Sequence, residues 1–299
     1  MFNVPILLII YNRTEETHNL FQIVRKVAPS QLYVAADGPN NNYWDDYRKC
    51  LRTRCVIKPE WKCEQHNLFC DEHLGKTQMT YQAINWFFEN VSEGIILFDD
   101  TLPHPDFFYF CEQLLEKYRD NEDVMHIAGS NFLKKHIDKK NSYYFSAYSY
   151  LWGFATWKRA WESFDLSMQN TSEEEFAANV DLYIKKKKVK KRWVRIFNIL
   201  KKHNLDYWEF QYNFHIWKKS GFCITPNNNL IKNVGFSNGK RKIRRLMRGT
   251  KPILPLTHPE GIRLNREADK KAYRKVYKRA TFRLFKNAIF NAIGIKPKI

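Results

Sequence analysis

Apolar and polar positions divide the chain into a regular first half and a less regular second half. In the first half, the apolar runs 5–11 (PILLIIY) and 94–98 (GIILF) are nearly uninterrupted, which is typical of strands covered on both faces. The same patterning predicts two further strands at residues 32–36 and 124–128, and three helices at residues 14–27, 77–90 and 107–118. Strands alternating with helices predict an α/β fold with a mostly parallel sheet flanked by helices.

The second half carries aromatic and basic segments in place of this alternation. Residues 152–161 are rich in aromatic rings, and residues 184–203 form a very basic helix candidate. A helix rich in aromatic residues is predicted at 208–217 and a turn-rich loop at 226–242. A last, basic helix is predicted at about 269–293.

Composition changes this picture in two respects. The 299 residues are 44% apolar, which suffices for one large domain or two small ones, and the net charge of +19 indicates an anionic partner. That partner is nucleic acid, an acidic membrane surface or a phosphorylated substrate. Because neither a signal peptide nor a membrane-spanning apolar stretch is visible, we expect a cytoplasmic protein that contacts the inner face of a membrane.

Four of the six cysteines cluster around His66, so a zinc site has to be weighed against free thiols. They are Cys50, Cys55, Cys63 and Cys70. Their gaps are irregular and include no Cys-x-x-Cys pair. The spacing therefore favours free thiols in a reducing compartment.

Carboxylates follow the predicted strands at the edge where α/β sheets bind ligands. Asp99 and Asp100 end the GIILF strand, and two adjacent carboxylates suit a magnesium or manganese ion that also binds substrate phosphates. A solvated turn at the strand end explains the pair equally well. Asp37 ends a neighbouring strand, where it either accepts a hydrogen bond from a nucleoside or serves the Gly38-Pro39 turn.

Two further features carry both a chemical and an ordinary interpretation. Glu209 follows Trp208 in an aromatic segment, and apolar neighbours tend to raise a carboxyl pKa toward the range of a general base. Taken alone, it is better explained as a glutamate on a helix surface. The basic run 185–192 (KKKKVKKR) is either a solvated helix face or a contact for phosphate, membrane or nucleic acid.

The order of several motifs resembles a family of bacterial glycosyltransferases that are themselves similar to the animal N-acetylglucosaminyltransferase that initiates complex N-glycans. The resemblance covers residues 5 to about 258. Its motifs are PILLIIYNR (5–13), LYVAADGP (32–39), NWFFENVSEGIILFDDTLPHPDFF (85–108), HIAGSNF (126–132), LWGFATWKRAW (151–161), YWEFQYNF (207–214) and ITPNNNLIKNVGF (224–236). Each motif is weak by itself, and their joint order is specific.

The resemblance implies a GT-A-like nucleotide-diphospho-sugar transferase domain at residues 1–258. Residues 1–135 would form its nucleotide-binding half and 136–258 its acceptor and catalytic half, followed by a basic helical C-terminal extension at 259–299. It also implies an inverting reaction of a nucleotide-sugar, usually a UDP-sugar, with a divalent metal (manganese or magnesium). The expected acceptor is a hydroxyl of a cell-surface glycan or a lipid-linked saccharide.

The same resemblance assigns roles to individual residues. Tyr11, Arg13 and Asp37 would bind the donor, with Arg13 and Asp37 at the base, and Asp99 would lie by the ribose or the sugar. The remaining assignments are Asp100 as metal ligand, Glu209 as catalytic base, and Trp152 and Gly153 as parts of the acceptor and sugar pocket.

The chain departs from the family pattern at two places. Phe98 stands where the family usually has an acidic residue, which affects the choice of donor or its affinity. After Phe236 the chain is basic where many bacterial relatives carry a loop with histidine. Lys240, Arg241 and Lys242 are therefore candidates for direct contact with the diphosphate, which would weaken the dependence on metal.

Two rival functions remain beside the transferase. One is a catalytically impaired relative that binds nucleotide, motivated by Phe98. The other is a non-catalytic basic protein that binds nucleic acid, which the charge favours. No helix-turn-helix, zinc-finger or RNA-binding aromatic signature supports nucleic acid, so it is not the expected partner.

The C-terminal end predicts an amphipathic helix. Its apolar stripe consists of Thr281, Leu284, Phe285, Ala288, Ile289, Ala292 and Ile293. Basic residues beside the stripe suit a helix lying on an anionic membrane surface. Packing of the stripe against the domain is an equally good interpretation, because most amphipathic helices face a core.

Overall fold

The structure, a computed structural model, describes residues 2–133, 137–138, 140–202, 207–235 and 250–278. The strands in these ranges are β1 (Ile6–Ile10), β2 (Gln31–Ala36), β3 (Glu64–Phe69), β4 (Glu93–Phe98), β5 (Thr101–Pro103), β6 (Val124–Ala128), β7 (Tyr143–Ser146), β8 (Phe154–Trp157), β9 (Phe222–Pro226) and β10 (Ile231–Asn233). The helices are α1 (Thr14–Val27), α2 (Asp46–Cys55), α3 (Lys76–Asn90), α4 (Asp106–Lys117), α5 (Lys158–Trp161), α6 (Glu173–Tyr183), α7 (Lys187–Lys202), α8 (Trp208–Lys218) and α9 (Arg266–Ala272). A π-helical turn, Tyr273–Tyr277, continues α9.

A large central sheet flanked by helices confirms the predicted α/β class. Its strand order is β3-β2-β1-β4-β8-β6-β9-β7. The four strands from β3 to β4 are parallel to one another, as predicted for the first half. In the second half, β8 is antiparallel to both β4 and β6, and β7 is antiparallel to β9. The sheet is therefore mixed, because strands from the irregular half of the sequence enter it in the opposite direction.

The uninterrupted apolar run of β1 is explained by packing on both faces of the sheet. Ile6, Leu8 and Ile10 contact a core that includes apolar side chains of α1 and α4. Leu7 and Ile9 point to the other face, where α3 and α8 pack. Successive side chains alternate between faces, so a strand covered on both sides needs apolar residues at every position.

A third, aromatic core joins α6, α7 and α8 to the C-terminal segment, which consists of α9 and the π-helical turn that follows it (residues 266–278). On α7, Trp193, Ile196 and Phe197 are buried, while most of its lysines are exposed. Tyr277 of the π-helical turn stacks on Tyr148, with ring centroids 4.3 Å apart. The chain up to residue 278 is thus attached to this core, and the amphipathic stripe predicted at residues 281–293 lies outside the described residues.

Neither a zinc cluster nor a membrane-spanning helix occurs in the described ranges. All six cysteines are free thiols, and no group of three or more His, Cys, Asp and Glu side chains there is arranged to hold a metal. No helix among these residues has the length and apolar character needed to cross a bilayer.

Candidate active site

A cavity of about 790 Å³ opens at the edge of the sheet where β1, β2 and β4 end. Because these strands are parallel, the residues that follow them meet at one edge. Seven of the eight residues to which the resemblance assigns a role line this cavity: Tyr11, Arg13, Asp37, Asp99, Asp100, Trp152 and Glu209. The tertiary fold therefore brings together side chains that are up to about 200 positions apart in the sequence.

Arg13 joins the two aspartates at the centre of the cavity. Its Nη1 lies 3.2 Å from Asp99 Oδ1 and 2.9 Å from Asp100 Oδ2. Asp99 is only 8% exposed, and burial raises its pKa to about 7 against the lowering effect of Arg13. The repulsion from Asp100 adds to this rise. The pair is therefore held together by a cation, which in this structure is the guanidinium.

Asp100 is also held by the last residue of β10 and the two residues that follow it. Asn233 Nδ2 donates to Asp100 Oδ1 at 3.2 Å, and the backbone N–H of Val234 donates to the Asp100 carbonyl at 2.8 Å. A Cβ on Gly235 would lie 2.2 Å from Asp100 Oδ2, so this close backbone approach requires glycine. Asp100 is thus a positioned carboxylate, in contrast to a solvated turn residue.

Asp37 faces the cavity, but its carboxylate organises a neighbouring loop. Oδ1 accepts from the backbone N–H of Gly38 (2.9 Å) and Leu74 (2.8 Å). Oδ2 accepts from Gly75 N–H at 3.1 Å and lies 2.9 Å from His73 Nδ1. Three backbone N–H donors and the neighbouring imidazole therefore occupy most of the ordinary capacity of this carboxylate. In this structure the carboxylate therefore orders the loop that precedes α3.

Tyr11 continues this wall of the cavity. Its hydroxyl donates to the buried carboxylate of Asp46, and the pKa of Asp46 lies below its ordinary value because hydrogen bonds from Tyr11, Asn40 and Asn12 outweigh burial. The Tyr11 ring lies 5.0 Å from the His73 ring at an angle of 30°. These two rings give one side of the cavity an aromatic surface.

Glu209 stands in the first turn of α8 and lines the same cavity as the strand-end residues. Its carboxylate forms an ion pair with Lys76, the first residue of α3. The preceding Trp208 is buried and contacts Phe98, with ring centroids 6.2 Å apart. Phe98 therefore forms part of an apolar surface beside the residue that precedes Glu209.

Trp152 lines the cavity, whereas Gly153 supports it from behind. The Trp152 ring meets Phe132 edge-on at 4.7 Å. Gly153 has a φ of +79°, and a Cβ there would lie 2.8 Å from Ile231 Cδ1. Its carbonyl accepts from Gly129 N–H at 2.9 Å. The backbone behind Trp152 thus requires glycine at position 153, although Gly153 is not itself one of the residues that line the cavity.

Several lining residues had no signal in the sequence. Lys76 and His73 belong to no motif, Asn233 lies in the ITPNNNLIKNVGF motif without an assigned role, and Val276 and Tyr277 come from the C-terminal segment. Only the three-dimensional contacts bring them to the strand ends. The predicted diphosphate contacts Lys240, Arg241 and Lys242 lie outside the described residues.

The donor set at the strand ends fits a divalent cation that is shared with a substrate. Asp99 and Asp100 supply carboxylate oxygens, and magnesium usually takes one or two carboxylates and completes its shell with phosphates and water. Arg13 engages both carboxylates in this structure. A bound cation would therefore replace at least one of the two Arg13 contacts.

Comparisons with known proteins do not assign the chain. No family profile and no curated protein matches it. HddC from Yersinia pseudotuberculosis aligns with 54% of this chain and 80% of its own, at 10% identity and a TM-score of 0.32. Mannosyltransferase PcManGT from Pyrobaculum calidifontis, solved with GDP-Man and Mn2+, aligns with 72% of this chain and 69% of its own, at 11% identity and a TM-score of 0.34. These values are too low to support an argument, so the resemblance seen in the motifs remains a prediction.

Proposed function

We propose that the chain is a glycosyltransferase that moves a sugar from a nucleotide-sugar, expected to be a UDP-sugar, to a hydroxyl of a glycan or lipid-linked saccharide. The observation that carries the proposal is that Arg13, Asp99, Asp100 and Glu209 all line one cavity. The first three residues offer cationic and metal-binding groups for a diphosphate, and Glu209 offers a carboxylate for a proton. A transfer between two oxygens needs both.

The proposed reaction is an inverting displacement. The acceptor oxygen attacks the anomeric carbon while the bond from that carbon to the diphosphate oxygen breaks. The hydroxyl proton passes to Glu209, and the electron pair leaves with the nucleoside diphosphate. A divalent cation at Asp100, when bound, would stabilise the negative charge that develops on this diphosphate.

The chain's own residues are proposed to prepare this step. Lys76 orients the Glu209 carboxylate before the acceptor arrives, since it forms an ion pair with it. Arg13 holds Asp99 and Asp100 together and can donate to a phosphate oxygen when the cation takes over one carboxylate. The rings of Tyr11 and Trp152 supply apolar faces for the base or the sugar.

The proposal is tested by incubation with a panel of sugar nucleotides and manganese, with release of free nucleoside diphosphate as the readout. Turnover of one donor supports the transferase. Nucleotide binding without any turnover supports a catalytically impaired relative. If the chain binds no nucleotide and instead binds nucleic acid in a salt-sensitive way, the transferase proposal is wrong.

A further inference from the structure

A second cavity, which we call the basic cavity, lies between the start of α7 and the C-terminal segment. Its volume is about 600 Å³. Fourteen of the residues that the structure describes line it, of which eight are lysine or arginine and one, Asp269, is an acid. Four of the basic residues come from positions 185–192, and the other four come from positions 266–278. The run KKKKVKKR is therefore one half of a concave basic surface that the sequence alone did not reveal.

Asp269 does not neutralise this surface. Its carboxylate is buried, Oδ1 accepts from Ser146 Oγ at 2.6 Å, and Oδ2 accepts from Ala147 N–H at 3.1 Å. Burial is also the main reason why the pKa of Asp269 is raised to about 6. The carboxylate of Asp269 is therefore engaged at the end of β7, and this one acid is outnumbered by eight basic residues in the described lining.

The pairing of the neighbouring lysines differs between the cavity and its surroundings. Just outside the cavity, Lys190 forms an ion pair with Asp181 of the preceding helix α6, and Lys271 forms one with Glu267 of its own helix α9. Inside it, Lys186, Lys188 and Arg274 form no ion pair with any carboxylate of the described residues, and all three are exposed. Like charges gathered in a concave site repel one another unless an anion binds between them.

We propose that the basic cavity binds a diphosphate or another group with closely spaced phosphates. A cavity of this volume accommodates a small ligand. Its excess of positive charge exceeds what one carboxylate or one phosphate would neutralise. Arginine forks bind phosphate oxygens in pairs, lysines add point charges, and the buried rings of Tyr148 and Tyr183 exclude water from the floor. Such a group could belong to a soluble molecule or to a lipid at a membrane surface.

The basic cavity is separate from the candidate active site, although one turn borders both. Tyr273 and Arg274 line the basic cavity, while Val276 and Tyr277 line the active-site cavity. The inference does not depend on the proposed sugar transfer, because it concerns binding of an anion by a different set of side chains. Binding can be measured without any turnover.

The test is calorimetric titration of the full chain with inorganic pyrophosphate at low salt. We compare it with the variant Lys186→Gln/Lys188→Gln/Arg274→Gln, whose changes lie on exposed side chains and should leave the fold intact. Removal of three phosphate contacts should weaken pyrophosphate binding roughly tenfold or more. Unchanged circular dichroism and melting temperature establish that the variant is folded. The double variant Lys186→Gln/Lys188→Gln replaces it if the triple variant does not fold.

A matched control removes the same charge elsewhere. Lys26→Gln/Lys58→Gln/Lys62→Gln changes three exposed lysines that line neither cavity. Pyrophosphate that binds near Arg13 affects all proteins equally and cancels in the comparison. Equal pyrophosphate affinity of the two triple variants would overturn the proposal, because it would show that only the overall charge matters.

A second arm identifies the source of the phosphates. Vesicles of phosphatidylcholine with and without phosphatidylglycerol are sedimented with the same proteins. If the cavity variant alone loses binding to anionic vesicles, and pyrophosphate competes for binding, the natural ligand is a lipid headgroup. If both triple variants bind the vesicles equally while only the cavity variant loses pyrophosphate, the ligand is a soluble diphosphate. Either result supports the basic cavity as an anion site.

Discussion

The substitution Gly153→Ala tests whether the wall behind Trp152 depends on backbone geometry. Alanine at a φ of +79° costs about 1–2 kcal/mol, because its Cβ crowds the following carbonyl. The same Cβ would lie 2.8 Å from Ile231 Cδ1 and 3.1 Å from Leu97 Cδ2, and overpacking of this kind costs about 1–3 kcal/mol. We therefore expect the free energy of unfolding to fall by about 2–5 kcal/mol.

Two other glycines separate these contributions in a urea-unfolding assay. Gly75 has almost the same φ, +80°, but a Cβ there meets nothing within 4 Å. Gly75→Ala should therefore lose only the backbone contribution, about 1–2 kcal/mol. Gly261 has neither a positive φ nor a close neighbour, so Gly261→Ala should leave stability nearly unchanged.

The collision itself is tested by shortening its partner. Ile231→Val removes the Cδ1 atom that the new methyl group would meet, at a cost of about 0.5–1.5 kcal/mol when it is introduced alone. Combined with Gly153→Ala, it should restore part of the lost stability, so the two effects will not add. Equal losses for Gly153→Ala and Gly75→Ala, or strict additivity in the double variant, would refute the steric part of the reasoning.

Three further predictions concern the chemistry and the pH dependence. Asp100→Ala should lower transfer on the order of 10²–10³-fold with an unchanged melting temperature, and near-normal turnover in manganese would show that Asp100 is not the metal ligand. Glu209→Gln should lose about 10²–10⁴-fold in transfer but keep its donor affinity by calorimetry, and intact transfer would move the base elsewhere, with Asp99 as the next candidate. His215 is buried and its pKa is lowered to about 4, mainly by burial. The unfolded chain, with a histidine pKa of about 6.5, binds more protons below neutral pH, so the free energy of unfolding should fall by about 2 kcal/mol from pH 7 to pH 5 through this residue. Urea unfolding of His215→Gln should be less sensitive to pH over that range, and an equally steep dependence would contradict the assignment.

The parts of the fold that the sequence predicts well are those with a strong local signal. β1 and β4 are continuous apolar runs because both faces of the sheet are covered there. β3 (EQHNLF) was not predicted, because it is a polar edge strand in which no residue is fully buried. α2 was missed for a similar reason, since only Asp46, Cys50 and Thr53 of its ten residues are buried. The direction of β8 depends on its partners β4 and β6, which no local pattern specifies.

The candidate site likewise contains residues that the sequence predicts and residues that it does not. Residues that directly follow a strand were found from the sequence, because the edge of a parallel sheet is a known place for ligands. The Lys76–Glu209 ion pair joins residues 133 positions apart, and Asn233 reaches Asp100 over an equal separation. Pairs of this kind form only when the sheet and the helices on its faces are assembled. Local periodicity and turn signals therefore do not predict them.

The late position of Tyr277 in the chain has a consequence for synthesis. Its hydroxyl donates to the Ser149 carbonyl at 3.0 Å, across 128 positions, and its ring closes one side of the candidate active site. During translation, Arg13, Asp99, Asp100 and Glu209 all leave the ribosome before this wall exists. A nascent chain that ends before Arg266 therefore carries the proposed reactive groups without the part of the lining that Val276 and Tyr277 supply. The described lining is complete only when this turn docks, which makes ligand affinity a reporter of completed folding.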